Sequence, residues 1–251
     1  MIRRCQRRRV KLYATEVRSP SGTLQSGEGE GYKLEQEEES MKMVAFNGSP
    51  NQEGNTYHAI KMVAAELEKE GIETEIVHVG NKTIRGCIAC MQCAKHQNEE
   101  CALKDDEVNE WVQKMKNAAA IILGSPVHYS AIGGTMKSFL DRAFFVGGVN
   151  GGLYRHKVGA SVVAVRRSGG IPTFDQLNHF LNYSEMLIAT SNYWNVIHGR
   201  APGEALQDEE GVQIMRVLGK NMVWMMRLVQ NGKGVVAEPE KEAKVYTNFI
   251  R

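Results

Sequence analysis

Short, fully apolar runs alternate with longer stretches of helical period from residue 42 onward. Residues 43–46 form an apolar run that ends at Asn47-Gly48-Ser49-Pro50, which reads as a strand entering a loop. From 56 to 70, Ile60, Val63, Ala64 and Leu67 recur at helical spacing, and Gly71 supplies a natural stop. Residues 74–79 alternate like a strand. Asp105 and Asp106 can cap a helix reaching about Asn117, and 118–123 reads as a buried strand ending at Gly124-Ser125-Pro126. A helix from about 134 to 145, a strand over 158–165, a helix from 173 to 187, a strand near 194–197 and a long helix opened by Asp208-Glu209-Glu210 and running to about 230 complete the pattern. Strands that are apolar on both faces and alternate with helices predict a parallel sheet covered on both sides, joined by right-handed crossovers.

Two segments fall outside this pattern. Arg3, Arg4, Arg7, Arg8, Arg9 and Lys11 form a basic block, and Glu28, Glu30, Glu35, Glu37, Glu38 and Glu39 an acidic one. No apolar period joins them, so residues 1–40 are expected to be a disordered extension, or translated leader ahead of Met41. An RNA-binding or organelle-targeting arm is the sharper reading of the arginines, but a transit peptide is usually poor in acidic residues. The expected organisation is therefore an extension over 1–40, one domain over 41–232 and a polar tail over 233–251.

Composition narrows the function. At 251 residues, 42% apolar and 24% charged, the chain is an ordinary globular protein. A formal net charge of +2 calls for neither nucleic acid nor an anionic membrane. No apolar run is long enough to span a bilayer, and the N-terminus lacks a secretory apolar centre. A cytoplasmic location is the expectation, and there clustered cysteines serve as ligands or redox groups more often than as disulfides.

The chemistry gathers at strand ends. In Gly48-Ser49-Pro50-Asn51-Gln52-Glu53-Gly54-Asn55-Thr56, side-chain donors, close-approaching glycine backbone and the following helix N-terminus suit a phosphate monoester. It is neither a Walker loop nor G-x-G-x-x-G, and alone it is also an ordinary turn. Two further loops follow apolar strands: Ser125-Pro126-Val127-His128-Tyr129-Ser130 offers an apolar and aromatic wall, and Arg166-Arg167-Ser168-Gly169-Gly170 offers cations and backbone donors. Ligands of doubly wound sheets bind where such loops converge. A flat, amphipathic, phosphate-bearing ligand such as FMN matches the set.

The first loop, Ser125-Pro126-Val127-His128-Tyr129 and the downstream Met136-Lys137-Ser138-Phe139-Leu140-Asp141-Arg142 together resemble the NAD(P)H-dependent FMN reductases of the flavodoxin-like superfamily, over roughly 41–230. The resemblance implies a three-layer sandwich with a five-stranded parallel sheet in the order 2-1-3-4-5. It places Ser49, Asn51, Asn55 and Thr56 at the phosphate, Pro126, Val127, His128 and Tyr129 along the isoalloxazine, and Ser168, Gly169 and Gly170 at its pyrimidine edge. His128 departs from the aromatic or apolar residue expected there.

Cys87, Cys90, Cys93 and Cys101 read C-x2-C-x2-C-x7-C. The first three match the run of ferredoxin-type [4Fe–4S] sites, while the fourth lies beyond a longer polar gap. A zinc site made of two separated thiolate pairs fits less well, and a free dithiol at Cys87 and Cys90 stays open. The segment is similar to the compact motif of iron–sulfur flavoproteins, which implies that the four cysteines ligate one [4Fe–4S] cluster.

These readings lead to an FMN-dependent oxidoreductase that takes hydride from NAD(P)H and reduces a quinone, a flavin, a metal complex or an electron-transfer protein. No catalytic side chain is singled out; His128 and Tyr129 are the nearest candidates for steering the second substrate. The alternative is an iron–sulfur flavoprotein electron carrier that exchanges electrons with ferredoxin. A third reading is the same fold holding another phosphate ligand. Residues 144–154, glycine-rich, are expected to form a mobile loop near a subunit contact, and 222–226 is either an interface or a plain core stripe, so a homodimer or homotetramer is expected.

Overall fold

The computed structural model describes residues 41–247, 249 and 250; the sequence expectations for 1–40 lie outside these residues. The elements are β1 (Lys42–Asn47), α1 (Asn55–Glu68), β2 (Glu73–His78), α2 (Gln92–His96), α3 (Val108–Asn117), β3 (Ala120–Pro126), α4 (Gly134–Val149), β4 (Val158–Val165), α5 (Gly170–Tyr183), β5 (Leu187–Ile188), β6 (Val196–His198) and α6 (Glu209–Gly232). All strand pairings are parallel, in the order β2-β1-β3-β4-β5, with β6 also on β4. This is the 2-1-3-4-5 sheet of a flavodoxin-like sandwich, with its fifth position split in two. β5 pairs with the start of β4, at Val158 and Gly159, and β6 with its end, at Val163 to Val165.

Alternate residues of each strand face opposite layers, and both layers are built of buried apolar side chains. Val44, Phe46, Ile121 and Leu123 face α3, α4 and α5, where Trp111, Met115, Phe139 and Leu140 are buried. Met43, Ala45, Ile122 and Val162 face α1 and α6, against Ile60, Val63, Leu218 and Met222. Phe46 sits 4.7 Å from Phe139, and Trp111 meets Phe139 edge-on at 5.2 Å. Such aromatic pairs add about 0.5–1.5 kcal/mol each beyond their buried area.

Two sequence expectations shift, and one open alternative narrows. Residues 144–149 belong to α4 rather than to a loop, because Phe144 and Val146 turn into the core and Tyr154 folds back on Phe144, its hydroxyl donating to the Ala143 carbonyl at 3.1 Å. The helix expected over 173–187 runs from Gly170 to Tyr183 instead, and Leu187 and Ile188 join the sheet. Met222 and Met226 point into the core, so 222–226 is largely a core stripe. In the tail, Lys241 donates to the Gly151 carbonyl at 2.7 Å and Arg155 to that of Pro239 at 3.1 Å. Among the described residues no helix is long and apolar enough to cross a membrane.

Candidate functional site

The register brings the carboxyl ends of five strands to one edge: Asn47 lies opposite His78 and Gly124, Pro126 opposite Ala164, and Val165 opposite His198. The loop after β1 is held from within. Asn47 donates to the Gln52 carbonyl and accepts from Ser49 N, while Ser49 Oγ accepts from Asn51 N. The end of β2 braces it from outside, with His78 Nε2 2.8 Å from the Ser49 carbonyl and Gly80 pressed so close that a Cβ there would stand 2.1 Å from the same oxygen.

A cavity opens over this loop. Ser49, Asn51, Gly54, Asn55 and Thr56 form one side, with Pro126, Val127, Ala164 and Arg166 opposite, and Gly199, Arg200 and Pro202 close it. Thr56 Oγ1, in the first turn of α1, is buried and has no hydrogen-bond partner among the described residues. Among the described residues no side chain caps the α1 N-terminus, so its leading N–H groups and partial positive charge also face the cavity. An unpaired buried hydroxyl costs free energy unless something accepts from it or donates to it. With the exposed Arg166 and Arg200 at the margin, these donors fit a phosphate dianion.

Asn55 is placed differently from a free donor. Its amide nitrogen donates to the Ala201 carbonyl at 2.9 Å, and its oxygen accepts from Ala205 N at 3.1 Å. It therefore fastens the loop after β6 against α1. Glu204 holds the same loop by accepting from the backbone N–H groups of Arg200 and Ala201, which keep its carboxyl below the usual range. Arg200 was not singled out from sequence. The signal was there, in Gly199-Arg200-Ala201-Pro202-Gly203, a fourth glycine- and proline-rich loop at a strand end.

The second and third loops meet at Val127. Gly169 has a φ of +89°, and a Cβ there would stand 2.9 Å from Val127 Cγ1 and 2.8 Å from Ser130 Oγ. Pro126 and Val127 line the cavity, whereas His128 and Tyr129 do not. His128 and Ala131 exchange backbone hydrogen bonds at 2.9 Å around Tyr129 and Ser130, whose φ values are 49° and 60°. This tight turn leaves the Tyr129 ring wholly exposed at its tip. Ser168, Gly169 and Gly170 line a neighbouring hollow with Trp194, His198 and Asp208.

The cysteine segment follows β2 and packs on α3 and α4. Cys87 and Cys90 are exposed, Cys93 and Cys101 buried, and all four line one small cavity with Arg142. Ala89 and Met91, which flank Cys90, adopt φ values of 53° and 57°, conformations that nonglycine residues hold only when their surroundings enforce them. The polar gap before Cys101 is not a free loop. Asn109 accepts from Cys101 N at 2.7 Å and donates to its carbonyl at 3.0 Å, Gln113 donates to the Glu99 carbonyl, and Asn150 accepts from Glu99 N. Burial pushes the Cys93 thiol pKa up, so an anionic sulfur there needs compensating positive charge.

Among the described residues no three His, Cys, Asp or Glu side chains are gathered as a single-ion site. A tetrahedral zinc site with bonds of about 2.3 Å would draw its sulfurs to within about 4 Å of one another. The four thiols, two exposed and two buried, instead share one small cavity, with the buried Arg142 guanidinium, paired with Asp106, beside Cys101.

Sheet order and a cavity at the strand ends together define a flavodoxin-like fold. Residues 41–201 match the model of the NADPH-dependent FMN reductase family, and the chain belongs to that family. It is 33% identical over 197 residues to an iron–sulfur flavoprotein of Methanocaldococcus jannaschii, an alignment covering 76% of this chain and 100% of the relative. An iron–sulfur flavoprotein of Methanosarcina thermophila is 28% identical over 196 residues, covering 77% and 99%. Among solved structures, RosB with a bound riboflavin-phosphate intermediate superposes with a TM-score of 0.60 at 15% identity, over 84% of this chain and 93% of that one. A WrbA-like flavodoxin from Agrobacterium tumefaciens gives 0.53 at 14% identity, over 75% and 98%. Both show the fold.

Proposed function

We propose that this chain is an iron–sulfur flavoprotein: it binds FMN at the cavity over β1 and α1, holds a [4Fe–4S] cluster at Cys87, Cys90, Cys93 and Cys101, and exchanges electrons with a small redox protein of the ferredoxin class. The single observation that carries the flavin half is the buried, unpartnered Thr56 hydroxyl at an uncapped helix N-terminus. Ser49, Asn51 and Thr56 would hold the phosphate with the α1 N–H groups, and Asn55 would keep the Arg200 loop closed over it. Pro126 and Val127 would support the ring, and the Gly169 backbone would fix its distance from that wall. Bound there, the flavin would supply hydride and electron chemistry and the cluster one-electron chemistry. The proposal needs no side-chain acid or base.

The cluster half rests on four thiols around one cavity and on the Arg142 guanidinium beside Cys101. Free thiols in this arrangement suit a reducing compartment, in keeping with a cytoplasmic location. The family model favours a second reading in which NAD(P)H is the electron donor and a quinone, flavin or metal complex the acceptor. Anaerobic stopped-flow mixing separates the two. Rapid bleaching of the flavin by reduced ferredoxin, with slow or no bleaching by NADPH and NADH, is the expected result. Rapid bleaching by a nicotinamide nucleotide and none by ferredoxin would transfer the assignment to the second reading.

A further inference from the structure

Arg142 is among the largest side chains buried completely in the described residues, and a guanidinium removed from water must find anionic or carbonyl partners. All of its partners lie in the segment that carries the cysteines. Nη1 donates to the Asp106 carboxylate and, at 3.3 Å, to the Arg85 carbonyl; Nη2 donates to the Leu103 carbonyl at 2.8 Å. The third guanidinium nitrogen, Nε, points at Cys101 Sγ from 3.3 Å. Asp106 neutralises the guanidinium and, through its other oxygen, accepts from Val108 N at the start of α3. A clamp needing only carbonyls and a carboxylate has no use for the Nε–sulfur contact. A sulfur that carries negative charge does: hydrogen bonds to the ligating sulfurs, together with net charge and exposure, set the potential of an iron–sulfur group.

We propose that Arg142 is a positioning residue that sets the reduction potential of the group held by the four cysteines, by donating from Nε to the Cys101 sulfur while Asp106 cancels its charge. The inference rests on the iron–sulfur reading above. Two variants isolate it. Arg142→Met combined with Asp106→Asn removes the sulfur donor together with both paired charges, so the buried net charge does not change. Arg142→Lys keeps the charge next to Asp106 and loses the planar fork that aims Nε at sulfur.

The test is anaerobic purification of the full chain with iron, acid-labile sulfide and FMN assayed, followed by redox titration read by electron paramagnetic resonance for the cluster and by absorption for the flavin. The expected result is full iron and FMN in all three proteins, with the cluster potential more negative in both variants and the flavin potential unmoved. The shift in the double variant should be roughly tenfold in the reduction equilibrium, about 59 mV for one electron. An unchanged cluster potential with full iron overturns the inference and leaves the cluster reading intact. Loss of iron from both variants also overturns it, because Arg142 then only holds the segment in place. Parent protein without iron or sulfide overturns the cluster reading itself, and this inference with it.

Discussion

Thr56 is the residue at which the flavin account is most exposed to test. Its hydroxyl is desolvated by the fold and satisfied by none of the described residues. Thr56→Val should therefore leave the stability of the FMN-free protein unchanged or slightly raised, since an unpaired buried hydroxyl is removed. The same change should weaken FMN by about 1.5–3 kcal/mol, tenfold or more, the range for a hydrogen bond to a charged acceptor. Fluorescence titration of FMN and urea denaturation read the two halves, and an unchanged FMN affinity would count against the phosphate assignment. Single residues were the part of this site least legible in the sequence. A string of Ser, Asn and Thr donors announces a polar loop, but only the fold tells that the Asn55 amide is spent on Ala201 and Ala205 while Thr56 Oγ1 is left over. In the sequence Arg142 is one residue of a helical run, and nothing local shows that α4 turns it beneath the cysteines.

β2 lies at the edge of the sheet, and charged side chains fasten it there. The Glu75 carboxylate takes Lys114 of α3 at 2.6 Å and Lys42 of β1 at 2.9 Å, and Lys114 above all holds its pKa below 4.5. The folded state then binds the proton less readily than the unfolded chain. The stabilisation is present above the ordinary carboxylate range and is lost as pH falls through the lower folded value. Lys114→Met should lower the urea midpoint at neutral pH and flatten its fall on acidification below 4.5; parallel profiles for the two proteins would contradict this. Gly80, just past β2, carries the link to the site. Gly80→Ala forces a Cβ toward the Ser49 carbonyl, and should cost about 1–3 kcal/mol of stability by overpacking and weaken FMN together with it. Stability at the parent level in thermal and urea unfolding would show that the loop yields freely. Element types were legible because both-face apolar strands and amphipathic helices carry unmistakable periods. Element ends were not. α4 runs on through Gly147 and Gly148 since Tyr154 covers that turn, and α5 stops at Tyr183, beyond which the chain joins β4.

At the scale of the molecule, the order 2-1-3-4-5 places four strand-end loops at one edge of the sheet and the cysteine segment beside α3 and α4. That topology followed from apolar runs and a family resemblance, because parallel crossovers allow few arrangements. The split fifth strand carried no such signal, as its two short pieces find their place only by pairing with β4. The cavity and the cysteines lie in one chain, so the central claim is that a single polypeptide carries both a flavin and an iron–sulfur group. One measurement reaches it directly: the absorption spectrum of the anaerobically purified protein before and after dithionite. The account predicts flavin bands superimposed on a broad iron–sulfur absorbance, both of which bleach on reduction. A protein that is colourless as isolated, and remains so after incubation with FMN, iron and sulfide, would contradict it.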